Sequence, residues 1–214
     1  MSKKLLLIGG GGHAHSVIDS IDSTDDFDEV GIVVNDLPIG AEICGIKVVG
    51  TDDTLEELRR QGFNYAFVTV GSTGNSSVRR KLTDLVLKYD YIIPNIIDPT
   101  ATISRFSTIG SGNFIGKKAI VNANSVIGDN CIINTASIIE HDCVLGDFIH
   151  VSPGSVLNGG VHVGNDSHIG SNSSVKQTVN IGSNSLIGIG SVVLKDISNN
   201  VIAYGNPCRE VKSK

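Results

Sequence analysis

The stretch IIEHDCVLGDFIHVSPG, residues 138–154, sets three polar side chains, Glu140, His141 and Asp142, between runs of Ile, Val and Leu. Its reading rests on a period. Ile139, Leu145 and Val151 lie six residues apart, and the spacing continues both ways. Upstream it takes in Ile97, Ile103, Ile109, Ile115, Val121, Ile127 and Ile133; downstream, Leu157, Val163, Ile169, Val175, Ile181, Ile187 and Val193. That makes seventeen aliphatic positions in succession with no insertion. A fixed hexad is the mark of a β-helix, each repeat supplying one short strand and one turn. The aliphatic side chain fills the interior. Four residues past it sits a mostly small one, as at Ser107, Ala119, Ser125, Cys131, Ser137 and Cys143, which fits beside it. The residue right after the aliphatic is often Gly, as at Gly110, Gly116, Gly128 and Gly146, and is expected to take the turn where φ is positive. In this register Ile139 points inward, Glu140 lies on the turn side, and His141 and Asp142 face out. The polar run therefore decorates an edge of the prism and escapes the desolvation cost of a core.

Upstream of the hexads the grammar differs. KLLLIGG, EVGIVVND and YAFVTVGS read as strands. HAHSVIDSIDST, DTLEELRRQG and NSSVRRKLTDLVLKYD read as helices. Alternation of this kind implies a parallel sheet covered by helices. The chain is thus expected to hold an α/β domain over residues 1–90 and a β-helical domain with a tail over 91–214. IGGGGHAHS follows a strand and opens a helix, and Gly9, Gly11 and Ala14 fit G-x-G-x-x-A, a turn that offers backbone N–H groups to a phosphate. Asn35 and Asp36 close the second strand at about the distance a ribose-binding acid would need. A dehydrogenase is a rival for this half, although residues 1–90 barely make one mononucleotide-binding unit. A tight strand–helix turn with no ligand is the plain alternative. Gly71 and Ser72 form a third loop at the same sheet edge, where ligands of open α/β sheets bind.

Composition narrows the classes. The 214 residues carry a formal charge of -5 and no basic cluster, which argues against a nucleic-acid surface. There is no Trp, so the core must rest on small and branched side chains. Cys44, Cys131, Cys143 and Cys208 show no CxxC spacing and suggest neither a zinc ribbon nor a disulfide framework. Cys131 and Cys143 fall on inward small positions and read as packing. MSKKLLLIGG mimics a signal peptide, but its apolar run is short and glycines follow at once, so it reads as a buried strand. No segment reaches the roughly 18 apolar residues of a membrane span. A cytoplasmic protein without membrane insertion is expected. His150 and His168 lie eighteen residues, one full coil, apart and should stack, with His162 on another face; the spacing matches no metal-ligand pattern, and no metal is expected.

The hexads over residues 97–196 resemble those of hexapeptide-repeat acyltransferases. That resemblance implies left-handed coils of eighteen residues, a homotrimer, and acetyl-CoA held between neighbouring β-helices. EHDCVLGDFIHVSPG is similar, more narrowly, to the NeuD/PglD family of sugar acyltransferases. The resemblance implies that His141 is the catalytic base with Asp142 its acidic partner, where relatives often have Glu. It implies His150, Gly159, Ser171 and Ile189 as acetyl-CoA contacts. It also implies Gly11, Gly12, His13, Asn35, Asp36, Gly71 and Ser72 as the nucleotide-sugar site of the small domain. VIAYGNPCREVKSK resembles the closing segment of the family, with Cys208 where relatives have Ala, and brings Lys195 and Arg209 towards the CoA phosphates.

The residue types suit that chemistry. An amine attacking a thioester must lose a proton, and imidazole accepts one near neutrality. A carboxylate beside it fixes the tautomer. The tetrahedral oxyanion needs a donor, such as a backbone N–H at Gly159 or Gly160. The expected activity is acetyl transfer from acetyl-CoA to the 4-amino group of a 4-amino-4,6-dideoxy sugar carried on UDP or dTDP, for lipopolysaccharide or other surface glycan. O-acetylation of sialic acid is one alternative. A non-catalytic nucleotide-sugar-binding β-helix protein is another, which the His–Asp–His set disfavours.

Overall fold

The computed structural model describes residues 2–214. They form two compact units. One runs up to Ser72 and resumes at Ser77–Ile96; the other joins Thr73–Ser76 to Ile97–Lys214.

The first unit is a Rossmann-like sheet. Strand β1 (Lys4–Ile8) lies at its centre, with Leu5, Leu6 and Leu7 fully buried, as a parallel strand covered on both faces requires. Helix α1 (Gly12–Asp22) buries Ala14, Val17, Ile18 and Ile21, one face at helical spacing. Strand β2 (Glu29–Val33) pairs in parallel with β1. Next come β3 (Glu42–Ile43) and β4 (Ile46–Gly50), an antiparallel hairpin absent from the three strands expected. Cys44 (φ 48°) and Gly45 (φ 80°) make its two-residue turn, both left-handed as the twist of a tight hairpin demands. The strands are short and partly exposed, so their hydrophobic signal is weak. Helix α2 (Leu55–Arg60), β5 (Phe63–Val68) and α3 (Ser77–Lys88) complete the unit. The order is β3-β4-β2-β1-β5. The chain leaves β1 towards β2 on one side and later places β5 on the other, so the carboxyl end of β1 is a topological switch point.

The second unit is a left-handed parallel β-helix. Each hexad gives a two-residue strand, and each strand pairs with those eighteen residues away: Ile120 with Ile138, Ile138 with Val156, Val156 with Ser174. Three sheets result, and the interior is a column of the repeating aliphatics, from Ile115 through Val193, nearly all fully buried. Each such side chain contributes about 1.5–3 kcal/mol on leaving water. The inward serines close the polar account. Ser125, Ser155 and Ser167 donate their hydroxyls to the carbonyls of Glu140, Gly170 and Gly182, at 2.7, 2.8 and 2.6 Å.

The turn chemistry departs from expectation. The left-handed residue is the third after the aliphatic, in an unbroken series that includes Lys118, Asn124, Asn130, Ala136, Asp142 and Phe148. Gly128, directly after Ile127, does not have positive φ. It is Gly for a different reason: a Cβ there would stand 2.8 Å from the carbonyl carbon of Gly146 in the adjoining coil. The coil ladder ends in a hairpin. Val201–Gly205 pairs in parallel with Leu186–Ile187 and antiparallel with Cys208–Ser213.

Candidate active site

His141 and Asp142 occupy a corner between the strands Ile138–Ile139 and Val144–Leu145. Asp142 has φ 60°, a conformation that Asp tolerates better than most residues. The backbone is held by both neighbouring coils. The Asp142 N–H donates to the Ala123 carbonyl at 3.0 Å, and the His141 carbonyl accepts from the Gly160 N–H at 2.9 Å. On this frame His141 Nδ1 lies 2.7 Å from Asp142 Oδ2. An ionised carboxylate only accepts, so Nδ1 carries the proton and Nε2 keeps its lone pair. The hydrogen bond to Asp142 raises the His141 pKa above the usual imidazole value, with the charges of Asp142 and Glu140 adding to it and desolvation opposing. Asp142 moves the other way, lowered by hydrogen bonds from His141 and Asn124. Both side chains are open to solvent, 64% and 58% exposed, so a substrate can reach the ring.

One coil on, Gly159 lies against that ring. A Cβ on Gly159 would stand 2.6 Å from His141 Cε1 and 2.7 Å from Nε2. The Gly159 carbonyl accepts from the Thr178 N–H at 2.9 Å, whereas its own N–H makes no backbone ladder bond among the described residues. A donor thus remains at the edge where the base sits. Glu140, His141, Asn158, Gly159, Gln177 and Thr178 line a groove of about 360 Å³. Cys131 and Cys143 are buried in the interior column, and burial raises the Cys143 thiol, which suits packing rather than nucleophilic work.

The remaining expected acetyl-CoA contacts gather elsewhere on the prism. His150, Ser171 and Ile189 share a second groove, of about 320 Å³, with His168 and Leu186. Gly159 is not among them. His150 and His168 do stack, with ring centroids 4.7 Å apart and planes at 79°. Asn134 Nδ2 lies 3.3 Å from His150 Nε2, and Ser152 Oγ lies 3.1 Å from His168 Nε2. His162 stands on a different sheet. Among the described residues no cluster of His, Cys, Asp or Glu is placed to hold a metal ion. Among the described residues no helix is long and apolar enough to cross a membrane either.

In the Rossmann-like unit the expected residues collect at the carboxyl edge of the sheet. Gly9 has φ 113°, and a Cβ there would meet Val70 Cγ2 at 2.7 Å, so the turn accepts only glycine. Gly11 caps α1 with no side-chain hydrogen bond, its carbonyl accepts from the Ala14 N–H at 2.9 Å, and nothing stands within 4 Å of a Cβ placed on Gly11 or Gly12. His13 begins the helix beside Gly71, and Ser72 is buried next to it in sequence. Asn35 serves the scaffold: its amide donates to Asp52 Oδ2 at 2.8 Å and its oxygen accepts from the Asp52 N–H at 3.0 Å. Asp36 is exposed beside it.

Sequence reasoning missed Asn124, Asn134, Asn158, Gln177 and Thr178. Most were within reach by adding or subtracting eighteen from the residues it did find: Asn124 from Asp142, and Gln177 from Gly159.

A family profile for the PglD N-terminal domain matches residues 4–86. No curated protein matches the chain. Among solved structures, the chain resembles the H141N variant of perosamine N-acetyltransferase from Caulobacter crescentus in complex with CoA and GDP-perosamine. That match has 35% identity and a TM-score of 0.92, covering 98% of this chain and 97% of that one. It also resembles the acetyltransferase domain of PglB from Neisseria gonorrhoeae in complex with acetyl coenzyme A, at 34% identity and TM-score 0.91, covering 99% and 100%. WeeI from Acinetobacter baumannii shares the fold, at 23% identity and TM-score 0.84 over 98% and 100%.

Proposed function

The chain belongs to the PglD/NeuD-type sugar N-acetyltransferases, and from that premise we propose that it moves the acetyl group of acetyl-CoA onto the 4-amino group of a nucleotide-linked 4-amino-4,6-dideoxy sugar. The observation that carries this reading is the His141–Asp142 pair at 2.7 Å with Gly159 pressed against the ring. The neutral sugar amine attacks the thioester carbonyl carbon. A C–N bond forms, the carbonyl oxygen takes up negative charge, and the N–H of Gly159 is a donor for it. His141 Nε2 accepts the proton that the amine sheds, and Asp142 stabilises the imidazolium. Collapse of the intermediate breaks the C–S bond, and the CoA thiolate leaves with a proton from the imidazolium. No covalent acyl-enzyme is needed.

The nucleotide is read at the carboxyl edge of the Rossmann-like sheet. The N-terminus of α1 meets the diphosphate, with Gly11, Gly12, His13, Gly71 and Ser72 around it. Asp36 accepts from the nucleoside, and Asn35 supports it through Asp52. UDP and dTDP are the carriers expected from sequence, and the GDP sugar bound by the Caulobacter relative makes GDP a third. A homotrimer explains why the acetyl-CoA contacts lie in two grooves of one chain: His141 and Gly159 of one copy would face His150, Ser171 and Ile189 of the next. With acetyl-CoA and a nucleotide sugar as its substrates, the proposed reaction belongs to the cytoplasm, upstream of surface glycan assembly.

The test is a thiol-release assay with acetyl-CoA against UDP-, dTDP- and GDP-linked 4-amino sugars and free sialic acid. Turnover with one amino sugar is expected and names the carrier. Turnover with sialic acid alone would move the acceptor to a hydroxyl.

A further inference from the structure

We propose that His168 is a positioning residue for acetyl-CoA: its ring braces the His150 imidazole and holds it in one orientation and one tautomer in their shared groove. This rests on the reading of His150 as an acetyl-CoA contact. The strands His150–Val151 and His168–Ile169 are parallel neighbours, and the two histidines are direct partners in the register, one coil apart. Val151 and Ile169 point into the interior column, so both imidazoles leave the same outer face of the sheet. Their ring centroids lie 4.7 Å apart with the planes at 79°, the edge-to-face arrangement that aromatic rings prefer.

Burial sets His168 apart. Val144 and His162 hold the same place in their hexads and are exposed, whereas His168 is only 8% exposed. A polar ring kept from water is costly unless it is hydrogen-bonded, and Ser152 Oγ, itself buried, lies 3.1 Å from His168 Nε2. His168 is thus the fixed ring of the pair. His150 is only half-buried, and the preceding coil meets it from the opposite side. There Asn134 Oδ1 accepts from the Thr135 N–H at 2.8 Å, which sets the amide so that Nδ2 faces His150 Nε2 at 3.3 Å. An amide nitrogen only donates, so His150 Nε2 accepts and Nδ1 carries the proton. The terminal torsion of a histidine is broad, and a contact of 3.3 Å leaves room for the ring to turn. The buried ring on the next coil supplies the second restraint. Two coils therefore grip one imidazole, Asn134 from one side and His168 from the other.

Plain packing by His168 is the alternative, and a spectroscopic readout separates the two. The ring nitrogens of His150 are followed by nitrogen–proton correlation NMR in the full chain, assigned by comparison with His150→Ala. The Kd for acetyl-CoA is measured by calorimetry, and Tm reports any loss of packing. The wild type is expected to show the Nδ1–H tautomer at His150. In His168→Ala the two tautomers should average and the Kd for acetyl-CoA rise roughly three- to ten-fold. His168→Phe keeps a ring in place and should restore the tautomer and most of the affinity. If His168→Ala does not fold, Ser152→Ala, which unties the buried ring, takes its place with the same expected direction. A wild-type tautomer or a wild-type Kd in the folded variant would overturn the proposal. So would a His168→Phe variant that behaves like His168→Ala, because a ring would then not be the brace. The tautomer is read without ligand, so it stands apart from the role of His150. If His150→Ala binds acetyl-CoA with wild-type Kd, it is the reading of His150 as a contact that fails.

Discussion

The α-carbon of Gly159 packs beneath the His141 imidazole so closely that a single methyl on it would stand 2.6 Å from Cε1. Real Cβ atoms do not approach that near, and the ring would have to swing off Asp142. Gly159 has no positive φ, so alanine there adds no backbone strain. Gly159→Ala is expected to fold with wild-type Tm and to lose at least about ten-fold in kcat through the displaced base. Equal kcat at equal Tm would show that the ring need not rest where it does.

The pH profile follows from the same pair. Only neutral imidazole accepts a proton, so activity falls as pH drops through the His141 pKa, which the Asp142 hydrogen bond raises above the ordinary imidazole value. Asp142→Asn removes the charge and leaves a weaker acceptor. The acid limb should then move to lower pH while the plateau rate drops. His141→Ala should cost roughly 10²–10⁴-fold in kcat. Steady-state kinetics over pH in a constant-ionic-strength buffer checks both, and a limb that stays put in Asp142→Asn would contradict the pairing.

Gly128 and Lys118 test the two turn positions against each other. Gly128→Ala drives a methyl to 2.8 Å from the neighbouring coil's backbone at Gly146, and is expected to destabilise by about 1–3 kcal/mol. Lys118 sits at φ 56° and carries a Cβ that the left-handed region disfavours. Lys118→Gly should stabilise, by up to about 1 kcal/mol after the entropy that glycine brings to the unfolded chain. Thermal unfolding of both variants reads the outcome. Opposite signs are required.

Asp36 and Asn35 separate contact from support. Asp36→Ala should raise KM for the nucleotide sugar and leave KM for acetyl-CoA alone. Asn35→Ala should do the same more weakly, since it loosens the tie to Asp52 without removing a ligand contact. A matched rise in both KM values would place Asp36 outside the nucleotide site.

The hexads announced the β-helix because a buried aliphatic at every sixth position tolerates no other explanation, and the side-by-side His141 and Asp142 were visible for the same reason: the register put them outside. The β3–β4 hairpin stayed hidden, since Glu42–Ile43 and Ile46–Gly50 are too short and too exposed to show a period. The turn residue was misplaced because glycine serves two physical needs. At Gly128 the need is room beside another coil, and at Gly160, with φ 68°, it is backbone freedom. Sequence alone does not separate them. Gln177 escaped notice because Gly159, beside it in the groove, lies a full coil away and each residue looks ordinary by itself.

The chemistry of this corner is therefore written as an interval. Ala123, His141, Gly159 and Gln177 are neighbours in space only because the count between them never varies. Deleting one residue between Asp142 and Asn158 would slide Gly160 beneath the imidazole and turn every later aliphatic away from the axis. Inserting eighteen residues at a corner farther down would leave the base, its partner and its glycine untouched and lengthen the prism by one coil, about 4.8 Å. Frameshifts of length, rather than changes of letter, are what this active site is least able to absorb.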